Sequence, residues 1–118
     1  MNNSNVLRDE ADVRMAWVNA DTLYLKVQYG GGCKEHTFQL YVLNYFLKSN
    51  PPQAEVRLSH NSRFDHCEAY LTDTLRFNLS PLRMLYKQIY SSPKGIVLLN
   101  IYEPQATQVT SPHVNYSF

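Results

Sequence analysis

Residues 22–42 read TLYLKVQYGGGCKEHTFQLYV, two apolar-polar alternations separated by three glycines, a cysteine and a histidine. Leu23, Leu25, Val27 and Tyr29 alternate with Tyr24, Lys26 and Gln28; His36, Phe38, Leu40 and Val42 then alternate with Thr37, Gln39 and Tyr41. A period of two is the signature of half-buried strands, since successive side chains of a strand point to opposite faces. The glycines supply the positive φ that a reversal needs, so a hairpin or a longer strand-loop-strand is expected. They do not form a phosphate loop, because the GK[ST] ending is missing and a strand, not a helix, follows.

The same period continues outward. Val13 to Val18 read as an earlier strand, and after the break at Asn50–Pro52 the residues Ala54, Val56 and Leu58 alternate with Glu55, Arg57 and Ser59, leading to His60. Cys67, Ala69 and Leu71 share parity with Leu75, Phe77 and Leu79, and Asp73 within that face predicts a bulge or an exposed middle. "GIVLLNIYE" is apolar on both parities and reads as a central strand. One helix interrupts: Ser80 is a suitable N-cap, Pro81 a suitable first residue, Leu79 and Met84 are spaced as a staple, and Leu82, Leu85, Tyr86 and Ile89 recur at helical spacing. These features predict an all-β, mainly antiparallel fold: a β-sandwich or partly open barrel of about six strands with one short helix near residues 81–90. Phe38, Leu40, Val56, Leu58, Phe77 and Leu98 are its expected core. A single domain over residues 1–118 is expected, with a flexible N-terminus (1–10) and a C-terminal tail or loose edge (104–118).

Composition narrows the function classes. Eleven Lys plus Arg oppose ten Asp plus Glu, scattered along the chain, so no basic surface for nucleic acid or anionic lipid is expected. The most apolar run, Leu40 to Leu47, contains Asn44 and is far shorter than the roughly 20 residues of a membrane helix. The opening residues lack the basic and apolar regions of a secretory leader, which leaves a cytoplasmic protein or one whose leader was removed.

Strand parity sends His36, His60 and Cys67 inward near strand ends, with Cys33 close to His36, so these four residues are expected to converge at one end of the fold. Four readings compete. A disulfide between Cys33 and Cys67 would close a loop of about 35 residues, contribute roughly 4 kcal/mol, and require an oxidising compartment. Zinc could be held by Cys33, His36, His60 and Cys67, with Asp65, His66 or Glu68 as substitutes, although the C-x2-H and H-x6-C spacing matches no standard finger. A cysteine nucleophile with a histidine base fits the residue types, but no helix N-terminus follows Cys33 to stabilise a thiolate. The fourth reading is buried thiols and hydrogen-bonded imidazoles filling the end of the core. Tyr24 and Tyr41 have outward parity and are the candidate ligand-stacking surface.

The segments YGGGCKEHTFQLY and PPQAEVRLSHNSRFDHCEAYLTDTLRFNLSPL resemble those of small exported bacterial proteins, including the C-terminal β-sandwich of NigD-like lipoproteins, over about Leu23 to Asn100. The resemblance implies a β-sandwich of a membrane-anchored lipoprotein, in some members behind a small barrel domain, with no established enzymatic activity. It maps Cys33 and Cys67 onto the family's motif cysteines and His36 and His60 onto its histidines, which favours the disulfide over zinc. The chain departs from the pattern in lacking a lipobox cysteine, a leader and a preceding barrel, and in carrying Asn78 where an acidic residue is expected. The expectation is a non-enzymatic binding or assembly module of the cell envelope or periplasm, with no cofactor, for a protein, small-molecule or glycan ligand. The alternative is a zinc-binding protein built on the Cys/His cluster.

Overall fold

The computed structural model describes residues 7–118, with residues 110–112 described by backbone only. Seven strands and one helix follow in the order β1 (Asp12–Asn19), β2 (Thr22–Gly31), β3 (Thr37–Val42), β4 (Gln53–Asn61), β5 (Ala69–Asn78), α1 (Ser80–Tyr90), β6 (Ile96–Tyr102) and β7 (Thr110–Ser117). They form a three-stranded sheet, β1-β2-β5, and a four-stranded sheet, β3-β4-β6-β7. The all-β sandwich expected from the periodicity is the fold found. Among the described residues the strand pairings are antiparallel except β4 with β6, whose parallel pairing the long connection through β5 and α1 permits, and a bridge of Arg8 with His60 is parallel too.

The core lies between the sheets. Leu23, Leu25 and Val27 of β2 face Ala54, Val56 and Leu58 of β4 and Val97, Leu99 and Ile101 of β6, all buried. Apolar area removed from water on both facing layers is the main stabilising term. Of the expected core, Val56 and Leu58 are buried, while Phe38, Leu40 and Phe77 are only half-buried because β3 and β5 stand at sheet edges. Leu98 is half-buried as well, since it has the outward parity of β6 and Val97 and Leu99 fill the core beside it.

Four local expectations are resolved, three by one of the alternatives left open and one by correction. First, of the hairpin and the longer strand-loop-strand, the second is found: β2 and β3 belong to different sheets, and the glycine segment carries the chain across the sandwich. Second, residues 104–118 hold an edge and not a tail: residues 110–117 form edge strand β7, with Val114 and Tyr116 buried and His113, Asn115 and Ser117 exposed. Pro112 and the surrounding Ser and Thr hid that short alternation, and proline is tolerated at a sheet edge.

Third, the helix begins differently. Leu79 holds the N-cap position, its carbonyl receiving the N–H groups of Leu82 and Arg83 at 2.9 and 3.2 Å. Asn78 Oδ1 accepts from both the N–H and the hydroxyl of Ser80 at 3.0 and 2.9 Å, and Met84 is exposed, so no staple forms. Fourth, of the bulge and the exposed middle expected at Asp73, the exposed middle is found, in an unbroken β5 register; register shifts lie instead in β1 between Val13 and Met15 and in β6 between Leu99 and Ile101. Of the N-terminal segment expected to be flexible, residues 1–6 lie outside the described residues; Leu7 and Asp9 hydrogen-bond through their backbones to His60 at 3.0 and 3.1 Å.

Candidate functional site

Two crossovers between the sheets, residues 32–36 from β2 to β3 and residues 62–68 from β4 to β5, lie at the same end of the sandwich. Cys33 on the first is bonded to Cys67 on the second, with the Cα atoms 5.8 Å apart. The expected crosslink is therefore present. In the oxidised chain the paired sulfurs offer no thiolate to a metal or an electrophile. Among the described residues, the potential ligand atoms of Cys33, Asp65 and Cys67 cluster within 4.8 Å of one another.

Asp65, named by sequence only as a substitute ligand, is the hub of this end. Its Oδ2 accepts the N–H groups of Gly32, Cys33 and Lys34 at 3.0, 3.1 and 2.9 Å, and its Oδ1 accepts the N–H of Cys67 at 3.1 Å. His36 Nε2 donates to the same Oδ2 at 2.9 Å, and the two side chains are almost wholly buried. The His36 bond, with the N–H groups of Lys34, Cys33 and Cys67 added, holds the Asp65 carboxyl well below the usual carboxylate range despite its desolvation. Gly31 makes this approach possible: at φ +152° its Cα passes so close that an added Cβ would stand 2.6 Å from His36 Nε2 and 2.7 Å from Asp65 Oδ2.

The chain of contacts continues from His36 Nδ1 to His60 Nε2 at 2.8 Å and from His60 Nδ1 to the Glu10 carbonyl at 3.0 Å. The carbonyl and the carboxylate can only accept, so His60 Nδ1 and His36 Nε2 each carry a hydrogen. Burial pushes His60 toward its neutral form, against the opposing Glu10 carbonyl bond. Every ring nitrogen of the pair is engaged. The four residues expected to converge do so, but as a closed clasp of disulfide, carboxylate and imidazoles; His66 and Glu68 are exposed outside it.

The clasp borders an open feature that sequence did not single out. Phe38 stacks on His60, rings 4.4 Å apart and 5° from parallel, and on its other side helps line a groove of about 620 Å³ between β3 and the β5–α1 corner. Leu40, Val42, Phe77, Leu82 and Leu85 line it too, and none of its lining residues is charged. The signal was indirect: β3 and β5 are both edges, so the parity that marks Phe38, Leu40 and Phe77 as core residues leaves them half-covered.

The two tyrosines proposed as a ligand surface are not brought together. Tyr24 lies on the outward face of the three-stranded sheet, stacked on Trp17 at 5.4 Å with the Arg76 guanidinium 5.6 Å from its ring. Tyr41 has the outward parity of the other sheet, is also among the residues that line the groove, and donates to Gln39 Oε1 at 3.0 Å. No helix among the described residues is long and apolar enough to cross a membrane.

No family model and no curated protein matches this sequence. Solved structures do share its fold. A NigD-like immunity protein from Bacteroides caccae superposes with a TM-score of 0.66 over 95% of this chain and 56% of its own, at 15% identity. A protein of unknown function, DUF1344, from Bacteroides vulgatus superposes with a TM-score of 0.53 over 98% of this chain and 51% of its own, at 14% identity. The chain spans about half the length of each of these neighbours. In fold it resembles NigD-like proteins, as its two motif segments led us to expect.

Proposed function

We propose that this chain is a non-enzymatic protein-binding module that works in an oxidising compartment such as the cell envelope, and that the groove between β3 and α1 receives its partner. The observation that carries the reading is the contrast between the two features of the fold. At the clasp the sulfurs are joined and the imidazole nitrogens and Asp65 oxygens are engaged internally. The groove is open, apolar and uncharged, the character of a surface that gains free energy when a partner covers it. The disulfide supports the compartment, because such bonds persist outside the reducing cytosol. One structural neighbour is named an immunity protein, a description in keeping with a module that acts by binding.

The test is photo-crosslinking in cells, with a benzoyl-phenylalanine placed at Leu85 in the groove or at Tyr24 on the outward face. A discrete protein adduct from position 85 and none from position 24 is expected. Adducts from position 24 alone, or from neither, would overturn the groove as the binding surface.

Zinc remains a second reading for the reduced chain, favoured by the clustering of Cys33, Asp65 and Cys67 ligand atoms within 4.8 Å. It makes Cys33, His36, His60 and Cys67 ligands, and so requires the disulfide to open and the His36–Asp65 bond to break.

A further inference from the structure

The four strands at sheet edges, β1, β5, β3 and β7, differ in how they are guarded against pairing with another strand. β1 carries Asp12 and Arg14 and a bulge between Val13 and Met15. β5 carries Asp73 and Arg76 in its exposed middle. The β6–β7 register shifts between Leu99 and Ile101. Charges and bulges of this kind are how natural edges avoid unwanted pairing. β3 has neither: TFQLYV contains no charge, and its register with β4 runs unbroken from Thr37–Asn61 to Val42–Val56.

The direction of the β3 backbone groups follows from the ladder. Leu43 N–H donates to the Glu55 carbonyl at 3.1 Å, and in an antiparallel pair bonded and non-bonded positions alternate. Tyr41, Gln39 and Thr37 therefore bond to β4, while the N–H and C=O groups of Phe38, Leu40 and Val42 point away from it. His60, opposite Phe38, confirms the phase, since its own N–H and C=O bond to Leu7 and Asp9 and not to β3. The same three residues line the uncharged groove. Outward amides and an apolar floor thus lie side by side.

Resting on the groove reading above, we propose that the partner binds as an added strand: an extended protein segment pairing with the outer edge of β3 and setting uncharged, apolar side chains at alternate positions into the groove. A helix satisfies its own backbone, and on this surface it would bury the outward groups of Phe38, Leu40 and Val42 without partners, a cost that a strand does not carry. The lack of charge in the lining selects against a segment with ionised side chains at its inward positions, because these would lose water and meet no counter-charge.

The probe is a displayed library of random peptides of about nine residues, selected on the oxidised native chain. Two groove variants, both checked for native thermal unfolding, accompany it. Val42→Pro deletes one outward N–H without touching the β4 ladder; Leu85→Arg places a charge in the groove. Enriched peptides should be free of charge and apolar at alternate positions, bind both variants about tenfold more weakly or worse, and lose binding to the unaltered chain when every second amide is N-methylated. Peptides that bind Val42→Pro and tolerate N-methylation would overturn strand addition while leaving the groove reading standing. Absence of any enriched peptide also overturns it, and the position-85 crosslink then tells whether the groove reading falls with it. A dimer abolished by Val42→Pro would overturn the proposal too, since a second copy would then own the edge.

Discussion

Asp65 accepts five hydrogen bonds in all, four from backbone N–H groups and one from His36, and its chemistry makes the stability of this end depend on pH. Its carboxyl ionises more readily in the folded chain than in the unfolded one, where its value is about 4. The carboxylate's contribution is thus complete above about pH 4 and is lost as the pH falls through the lower folded value. His60, lowered by burial, acts in the same direction: below about pH 6.5 the unfolded chain takes up a proton that folded His60 resists. Urea midpoints measured from about pH 7 to about pH 3 should therefore fall most steeply below about pH 4. Asp65→Asn should start lower at neutral pH and decline less over the acid range. Parallel curves for the two proteins would show that Asp65 does not carry the acid sensitivity.

Among the elements, legibility followed burial on both sides. β2 and β4 alternate cleanly because each faces a full opposing sheet, and β6 was readable as central from its apolar residues on both parities. β7 was legible only as a tail or loose edge because an edge strand needs only Val114 and Tyr116 to hold it, too short a signal beside a proline. The helix was found, but its start was displaced by one residue, since Leu79 is committed to the core and leaves Asn78, not Ser80, to receive the first free donors. Asn78→Ala should accordingly cost about 1 kcal/mol in urea unfolding, as the loss of a capping acceptor does, and Ser80→Ala clearly less. Equal costs, or the reverse order, would restore Ser80 as the cap.

At the scale of the whole molecule, one disulfide joins the two crossovers that pass between the sheets, so it holds the sandwich closed at the end where Asp65 gathers the loop amides. Parity alone was enough to bring Cys33, His36, His60 and Cys67 together, because side-chain direction in a strand is set by the backbone. Parity could not choose between crosslink and metal, a matter of sulfur separation and of Asp65 entering from the second loop. The groove was illegible for a different reason: it is a gap between two edges distant in sequence, and only the sheet order creates it. The account rests on a crosslinked, internally satisfied clasp beside an open groove, and urea unfolding of the oxidised and reduced chain, each with and without one equivalent of zinc, tests the clasp most directly. Closing a loop across a separation of 34 residues is worth about 4 kcal/mol, so reduction should lower stability by about that amount and zinc should not restore it. Full stability after reduction, or recovery of the lost stability when zinc binds, would contradict it.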